Sequence, residues 1–259
     1  MDTHASTSDV DAISVVMPVY NEEDTLETSI RGITKVLENF REAELIVIES
    51  NSTDSSRRIL ESLQKSWNSK IILKTLWESH PRGKGFAVRL GLAVVSHEVV
   101  AIFDADDEYS PSDLLLLTAE LKKGESSFIL GSRHAKGEPM RLFEGDKIRS
   151  AIYNFGHIFF CTLFNMMYQT KLRDPFTMWK VFRFSVIKDV PFKANRFDFD
   201  WELVAKSRRT GAIPIEVPVY YKSRSFEQGK KIRTIRDPLT WLWALVRFRF
   251  DKIQNPRII

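Results

Sequence analysis

VVAIFDADD, residues 99–107, carries an apolar run straight into a cluster of acids. An unbroken run of this length suits a strand covered by helices on both faces, as in a parallel sheet. Its end sets the carboxylates of Asp104 and Asp106 one residue apart. Two such groups at a strand end repel each other and lose hydration. A hard cation relieves both costs and can bridge to phosphate oxygens. Alone, the triplet reads equally as two capping acids in a loop; its neighbours decide.

Upstream, the same unit repeats. ISVVMPVY (13–20) is a buried strand, Asn21 is a cap, and Glu22, Glu23 and Asp24 suit the positive start of a helix. Leu26, Ile30, Ile33 and Leu37 then recur at helical spacing. ELIVIES (44–50) is a second strand, followed by a turn and cap over Asn51 to Asp54 and a helix to about Trp67. KIILKTLW (70–77) is a third, and Gly83-Lys84-Gly85 turns tightly into the helix FAVRLGLAVV. Downstream of the acids, Ser110-Pro111-Ser112-Asp113 starts a helix and SFILGSR (127–133) is a fifth strand.

Strands joined by single helices give a mostly parallel α/β sheet with right-handed crossovers. Ligands bind such sheets at the carboxyl ends of the strands. PVYNEE, ESNSTD and DADDE all fall at those ends, so topology alone gathers them.

The second half is less regular. Residues 134–150 are a polar, basic loop. Residues 151–168 form an apolar helix with a polar stripe at Asn154, His157, Cys161 and Asn165. Asp174-Pro175-Phe176-Thr177 is a turn before the strand MWKVFRF, 197–211 a helix, and IPIEVPVYYKSRS (213–225) a strand entering a basic loop. Asp237-Pro238 opens a last helix with Trp241, Trp243, Phe248 and Phe250 beside Arg247 and Arg249. Trp with Arg suits a membrane interface, and core packing or a homo-oligomer contact is the plainer alternative.

Composition sets the outer bounds. The chain has 259 residues, 43% of them hydrophobic, enough for one sizeable core. The lone Cys161 excludes an internal disulfide. A net charge of +4, concentrated late in the chain, suits phosphate or anionic lipid. No nucleic-acid-binding signature accompanies it, so no nucleic-acid partner is expected. Residues 1–12 are polar, without signal-peptide order, and are expected to be a flexible tail. No apolar run reaches the roughly 18 residues of a membrane span. His80, His97, His134 and His157 show no metal-ligand spacing.

These motifs resemble the family 2 glycosyltransferases of GT-A fold, and within them the polyprenol-phosphate sugar synthases. MPVYNEE matches the opening strand and turn, and IESNSTDSS the family's acidic turn. RGKGFAVRLGLA matches the Gly-rich helix start, DADDEYSP the acidic box and GSR the turn after strand five. The resemblance implies a Rossmann-like, mostly parallel sheet flanked by helices, with amphipathic helices in the C-terminal half. It divides the chain into a nucleotide-sugar-binding half (13–133), an acceptor-side half (134–236) and an amphipathic helix and tail (237–259).

The same resemblance implies roles. Pro18, Tyr20, Glu22, Glu49, Ser50, Asp54 and Lys84 would shape the nucleotide-sugar pocket, with Ser50 replacing a family acid that often contacts the base. Asp104 would face nucleotide and metal, Asp106 would ligate Mg or Mn, and Glu108 would be a third metal-side residue. Arg133 would meet phosphate or acceptor, and Arg224, Lys230 and Lys231 would close over the diphosphate. Asp200, with Asp198 and Glu202 beside it, is the candidate base, although an acid-decorated helix start reads as well.

The implied activity is inverting transfer of a hexose from a GDP- or UDP-sugar to a polyprenyl phosphate, by an enzyme held peripherally at the cytoplasmic membrane face. A glycan hydroxyl acceptor and a non-catalytic sugar-nucleotide-binding protein are the competing expectations. A nucleotidyltransferase would carry a Gly-rich, Lys-bearing N-terminal loop, and PVYNEE stands there instead.

Overall fold

A computed structural model describes residues 10–134, 147–222 and 236–253. The first strands are built from the β-branched runs. β1 (Ala12–Val19), β2 (Glu42–Glu49), β3 (Ile72–Trp77) and β4 (Val99–Ile102) pair in parallel. The helices between them are α1 (Leu26–Leu37), α2 (Ser56–Lys65) and α3 (Lys84–Leu92). In α1 the four apolar residues at helical spacing are all buried, as their spacing requires.

Beyond β4 the chain changes its habit. α4 (Asp113–Lys122) leads to β5 (Phe128–Ser132), and α5 (Lys147–Tyr168) follows. β6 (Lys180–Arg183), α6 (Phe199–Arg209), β7 (Ile215–Pro218) and α7 (Arg236–Phe250) complete the order. β6 inserts antiparallel between β4 and β5, giving a seven-stranded sheet in the order β3-β2-β1-β4-β6-β5-β7. The expected mostly parallel α/β sheet is therefore present, with one strand reversed.

Each face of the sheet carries its own core. Val15, Met17, Leu45 and Val47 face α1, α2 and α4, whereas Val16, Ile46 and Ile48 face α3, α5 and α6. Full burial of one such side chain is worth about 1.5–3 kcal/mol, so the two layers dominate the fold's stability.

Several local expectations shift. Asn21 does not cap α1; Thr25 stands at that position, and Asn21 adopts a left-handed φ of 51°. Its side chain instead accepts from Thr53 N–H at 2.8 Å and donates to Thr53 Oγ1 at 3.2 Å, tying the loop after β1 to the loop after β2. An Asn tolerates that backbone region because its short polar side chain can bond locally. Ser55, not Asn51 or Asp54, precedes α2. α3 stops at Leu92, and β6 and β7 are shorter than their apolar runs. Val10 is buried and β1 begins at Ala12, so the expected tail is shorter than 1–12; residues 1–9 lie outside the described ones.

The polar stripe of α5 has a purpose. Asn165 accepts from Leu172 N–H at 3.0 Å and donates to Leu172 O at 2.7 Å, while Cys161 donates to Leu172 O at 3.0 Å. His157 Nε2 lies 2.9 Å from Arg173 O and 3.1 Å from His134 Nε2. Burial, which Asp174 opposes and Arg133 reinforces, pushes the His157 imidazole down to about 4 from 6.5.

Two outcomes are expected. Gly85 has no room for a side chain, since a Cβ there would lie 2.4 Å from Phe199 Cβ and 2.6 Å from Ala194 O. Gly85→Ala should force α3 from the start of α6 and cost about 1–3 kcal/mol in denaturant melts. His157 is neutral when folded, so the unfolded chain takes up the extra proton as pH falls from 6.5 toward 4. Stability should therefore decline across that window, and His157→Gln should flatten the decline in melts at stepped pH.

Candidate active site

The carboxyl ends of β1, β2, β4 and β5 share one edge of the sheet, and the expected site residues divide between those that line it and those that build it. Glu49 belongs to the second group. Fully buried at the end of β2, it accepts the N–H groups of Ser52 at 2.6 Å and Asn51 at 3.2 Å. Asp54 is similar: its two oxygens accept from Ser56 N–H at 2.9 Å and Glu23 N–H at 3.1 Å. Burial works against the Asp54 charge, but these bonds outweigh it and hold the carboxyl below its usual value. Glu22 N–H donates to Ser56 Oγ at 2.8 Å, completing the stitching of the two loops.

Pro18, Tyr20 and Glu22 are half-buried beside this frame, and Ser50 is buried with its N–H on Val19 O at 2.9 Å. By the alternation of side chains along β1 and β2, Pro18 and Ser50 fall on the face that α3 covers. That face also receives Asp104 from β4.

Asp104 does not stand as a bare acid. Lys84, the first residue of α3, places Nζ 2.5 Å from Asp104 Oδ2. Gly83 makes this possible with a φ of 100° that turns the chain into the helix. Burial opposes the charge on Lys84, yet Asp104 and, after it, Asp200 outweigh that and raise its ammonium above the ordinary lysine value. Asp106 is half-buried and accepts Glu108 N–H at 3.1 Å, and Asp107 takes a φ of 58° to make the turn between them. Glu108 accepts from the Tyr221 hydroxyl at 2.9 Å. Among the described residues no three His, Cys, Asp or Glu side chains gather around one point as a metal cage. A magnesium-like cation needs no such cage, because it keeps most of its ligands as water or substrate phosphate.

Two of the three candidate bases are committed elsewhere. Asp200 is buried, with Oδ1 3.0 Å from Nζ of the fully buried Lys180. Lys180 also donates to Thr177 O. Glu202 is fully enclosed, accepting from Lys193 N–H, from Ala194 N–H at 2.8 Å and from Lys206 Nζ at 2.5 Å. A carboxylate already shared with a buried ammonium is a poor proton acceptor, because protonating it would strand the cation. The acid-decorated helix start is the better description of Glu202. Asp198 is half-buried, and burial pushes its carboxyl up, backbone bonds only partly offsetting this.

Arg133, one residue beyond β5, is forked onto Asp174: Nε and Nη2 each lie 2.7 Å from a carboxylate oxygen. Burial would raise the Asp174 carboxyl, but the adjacent guanidinium reverses this and holds it well below the usual carboxylate range. Asp174 was legible only as part of a turn, since its partner lies 41 residues away in sequence. Lys180 sat unnoticed in an apolar strand. Arg224, Lys230 and Lys231 lie outside the described residues.

The arrangement offers strand-end carboxylates, a fixed ammonium and a fixed guanidinium along one edge, a set suited to a phosphorylated, metal-associated ligand.

The chain is similar to known proteins. It is 25% identical to a dolichol-phosphate mannosyltransferase of Pyrococcus furiosus over 252 residues, 95% of this chain and 68% of that protein. In structure it is similar to glucosyl-3-phosphoglycerate synthase of Mycobacterium tuberculosis in complex with Mn2+, UDP-glucose and phosphoglyceric acid. There the TM-score is 0.64 at 17% identity, with 96% of this chain and 85% of that one covered. It is also similar to S. aureus TarS, with a TM-score of 0.55 at 18% identity, covering 92% and 72% respectively. These likenesses establish the GT-A fold. Residues 14–190 match the Glycosyl transferase family 2 profile. With more than half of its length inside that match, the chain belongs to glycosyl transferase family 2 and is a glycosyltransferase.

Proposed function

We propose that this enzyme transfers a hexose from a nucleotide diphosphate sugar to a polyprenyl phosphate, with inversion at the anomeric carbon, while resting against a membrane surface. The donor class is supported by the solved relatives, whose complexes contain UDP or UDP-glucose with Mg2+ or Mn2+. The acceptor class is supported by the name of the Pyrococcus furiosus relative.

One observation carries the acceptor reading: α5 has two working faces. Its polar stripe braces the loop that fixes Arg133 through Asp174. Another face exposes Phe155, Ile158, Phe159 and Met166, with Phe155 and Met166 each 74% exposed. α7 packs beside α5 and exposes Trp243 and Phe250, with the Arg247 guanidinium 5.1 Å from the Trp243 ring centre. A phosphate held at Arg133 and an isoprenoid tail laid along apolar helices meet both faces at once. Among the described residues no helix is long and apolar enough to cross a membrane, so the contact would be interfacial.

The chemistry follows from the same residues. Breaking the sugar–diphosphate bond leaves charge on the β-phosphate. Asp104 and Asp106 would hold Mg or Mn, which when bound neutralises that charge. Lys84, on the same edge, holds Asp104 in place and adds a fixed positive charge. A phosphate acceptor arrives already anionic and needs no general base. The engagement of Asp200 and Glu202 with buried lysines therefore favours it over a hydroxyl acceptor. Arg224, Lys230 and Lys231 would close over the diphosphate. The division into a donor half to residue 133 and an acceptor half beyond it is part of the same proposal.

Two measurements test this. With Mn2+ present, GDP or UDP should raise the melting temperature through mass action. Asp106→Ala should melt near the wild-type temperature without nucleotide and lose the metal-dependent increment. If that increment survives, the assigned metal site is wrong. Separately, a radiolabelled hexose donor should yield label that partitions into butanol with the lipid phosphate. Label appearing only in water-soluble glycan would move the reading to a hydroxyl acceptor.

A further inference from the structure

The loop that carries Asp174 is braced more heavily than charge neutralisation requires. Beneath it, Glu216 of β7 accepts the N–H of Arg173 at 2.8 Å and of Asp174 at 2.5 Å. Beside it, Asn165, Cys161 and His157 of α5 take the polar groups of Leu172 and Arg173. Asp174 is fully buried, and its Oδ2 accepts both Nε of Arg133 at 2.7 Å and the Arg133 backbone N–H at 3.0 Å. Proximity alone would satisfy the charge. A two-pronged fork on a loop fixed from two sides also sets the plane and direction of the guanidinium.

That direction is informative. Asp174 takes Nε and Nη2, so Nη1 is the nitrogen it does not take. The Tyr221 ring lies against the guanidinium, 5.4 Å from Cζ to ring centre, and the Tyr221 hydroxyl reaches Glu108. Arg133 is thus separated by one aromatic ring from the acidic segment that follows β4.

We propose that Asp174 is a positioning residue for Arg133, fixing the guanidinium so that its Nη1 edge meets the phosphate of the acceptor. The inference rests on the lipid-phosphate reading above. Its physical basis is preorganisation: a free arginine loses side-chain freedom when it grips an anion, whereas one already forked on a buried carboxylate has little left to lose.

The test is steady-state transfer from GDP-mannose or UDP-glucose to a short-chain polyprenyl phosphate in detergent micelles. Wild type is compared with Arg133→Ala, Asp174→Asn and the double variant Arg133→Ala/Asp174→Asn, and each is also melted. Asp174→Asn should raise the acceptor KM by about tenfold, the loss of one well-aligned charged contact. Donor affinity should stay within about twofold, because among the described residues the Asp174 carboxylate bonds Arg133. The double variant should be no worse than Arg133→Ala alone, since a residue that acts through another has nothing further to lose. Should Asp174→Asn fail to fold, Asp174→Glu carries the comparison, because it keeps the charge and moves the carboxylate by one methylene. An active Asp174 variant with an unchanged acceptor KM overturns the proposal, as does a double variant showing the product of the two single losses. Wild type that binds donor but glycosylates no lipid phosphate overturns the acceptor reading, and this inference with it.

Discussion

Three acids near the strand ends of this sheet are each met by a cation from a different element. Lys84 at the start of α3 answers Asp104 after β4, Lys180 in β6 answers Asp200 in α6, and Arg133 after β5 answers Asp174 before β6. Taking an ion pair out of water costs several kcal/mol per charge, which a pair recovers only with good geometry and further hydrogen bonds. The extra bonds are present: Lys180 also holds Thr177 O, and Asp174 also holds the Arg133 backbone. The elements at this edge are consequently pinned to one another by charge as well as by packing. The two apolar layers fix the fold, and these pairs fix where its polar groups stand.

The first half of the molecule was readable because its signals are local. Apolar β-branched runs alternate with helical spacing, and parallel topology then gathers PVYNEE, ESNSTD and DADDE at one edge without any further assumption. The second half depends on contacts between distant segments. The stripe of Asn165, Cys161 and His157 was visible as a pattern, but its partner, the loop at Leu172 and Arg173, was not. Asp200 looked like a base because nothing in RFDFDWEL announces that Lys180 is buried against it. Tyr221, the hydroxyl partner of Glu108, was not legible either, since it arrives from 113 residues further on. Asn21 read as a helix cap and proves to be a cross-loop stitch, while Asp54 is both, holding Ser56 N–H at the start of α2 and Glu23 N–H across the loop.

Apolar surface marks the other boundary of what the fold itself consumes. Phe160 and Phe164 of α5 are buried in the core, whereas Phe155 and Phe159 on the same helix are exposed. A helix that both supports a polar site and displays aromatic rings serves two environments.

The reversed strand has a consequence for how the chain can be assembled. β4 and β5 are never neighbours, because β6 separates them and hydrogen-bonds to both. A nascent chain that has emerged only through residue 133 holds the acid-bearing strand with one side unpaired, and its guanidinium lacks its counter-charge. β4 and β5 are not joined into one sheet until residue 183 is made, and β7 follows later still. Excising the first 133 residues as a minimal nucleotide binder would leave an open β edge inviting pairing with other chains.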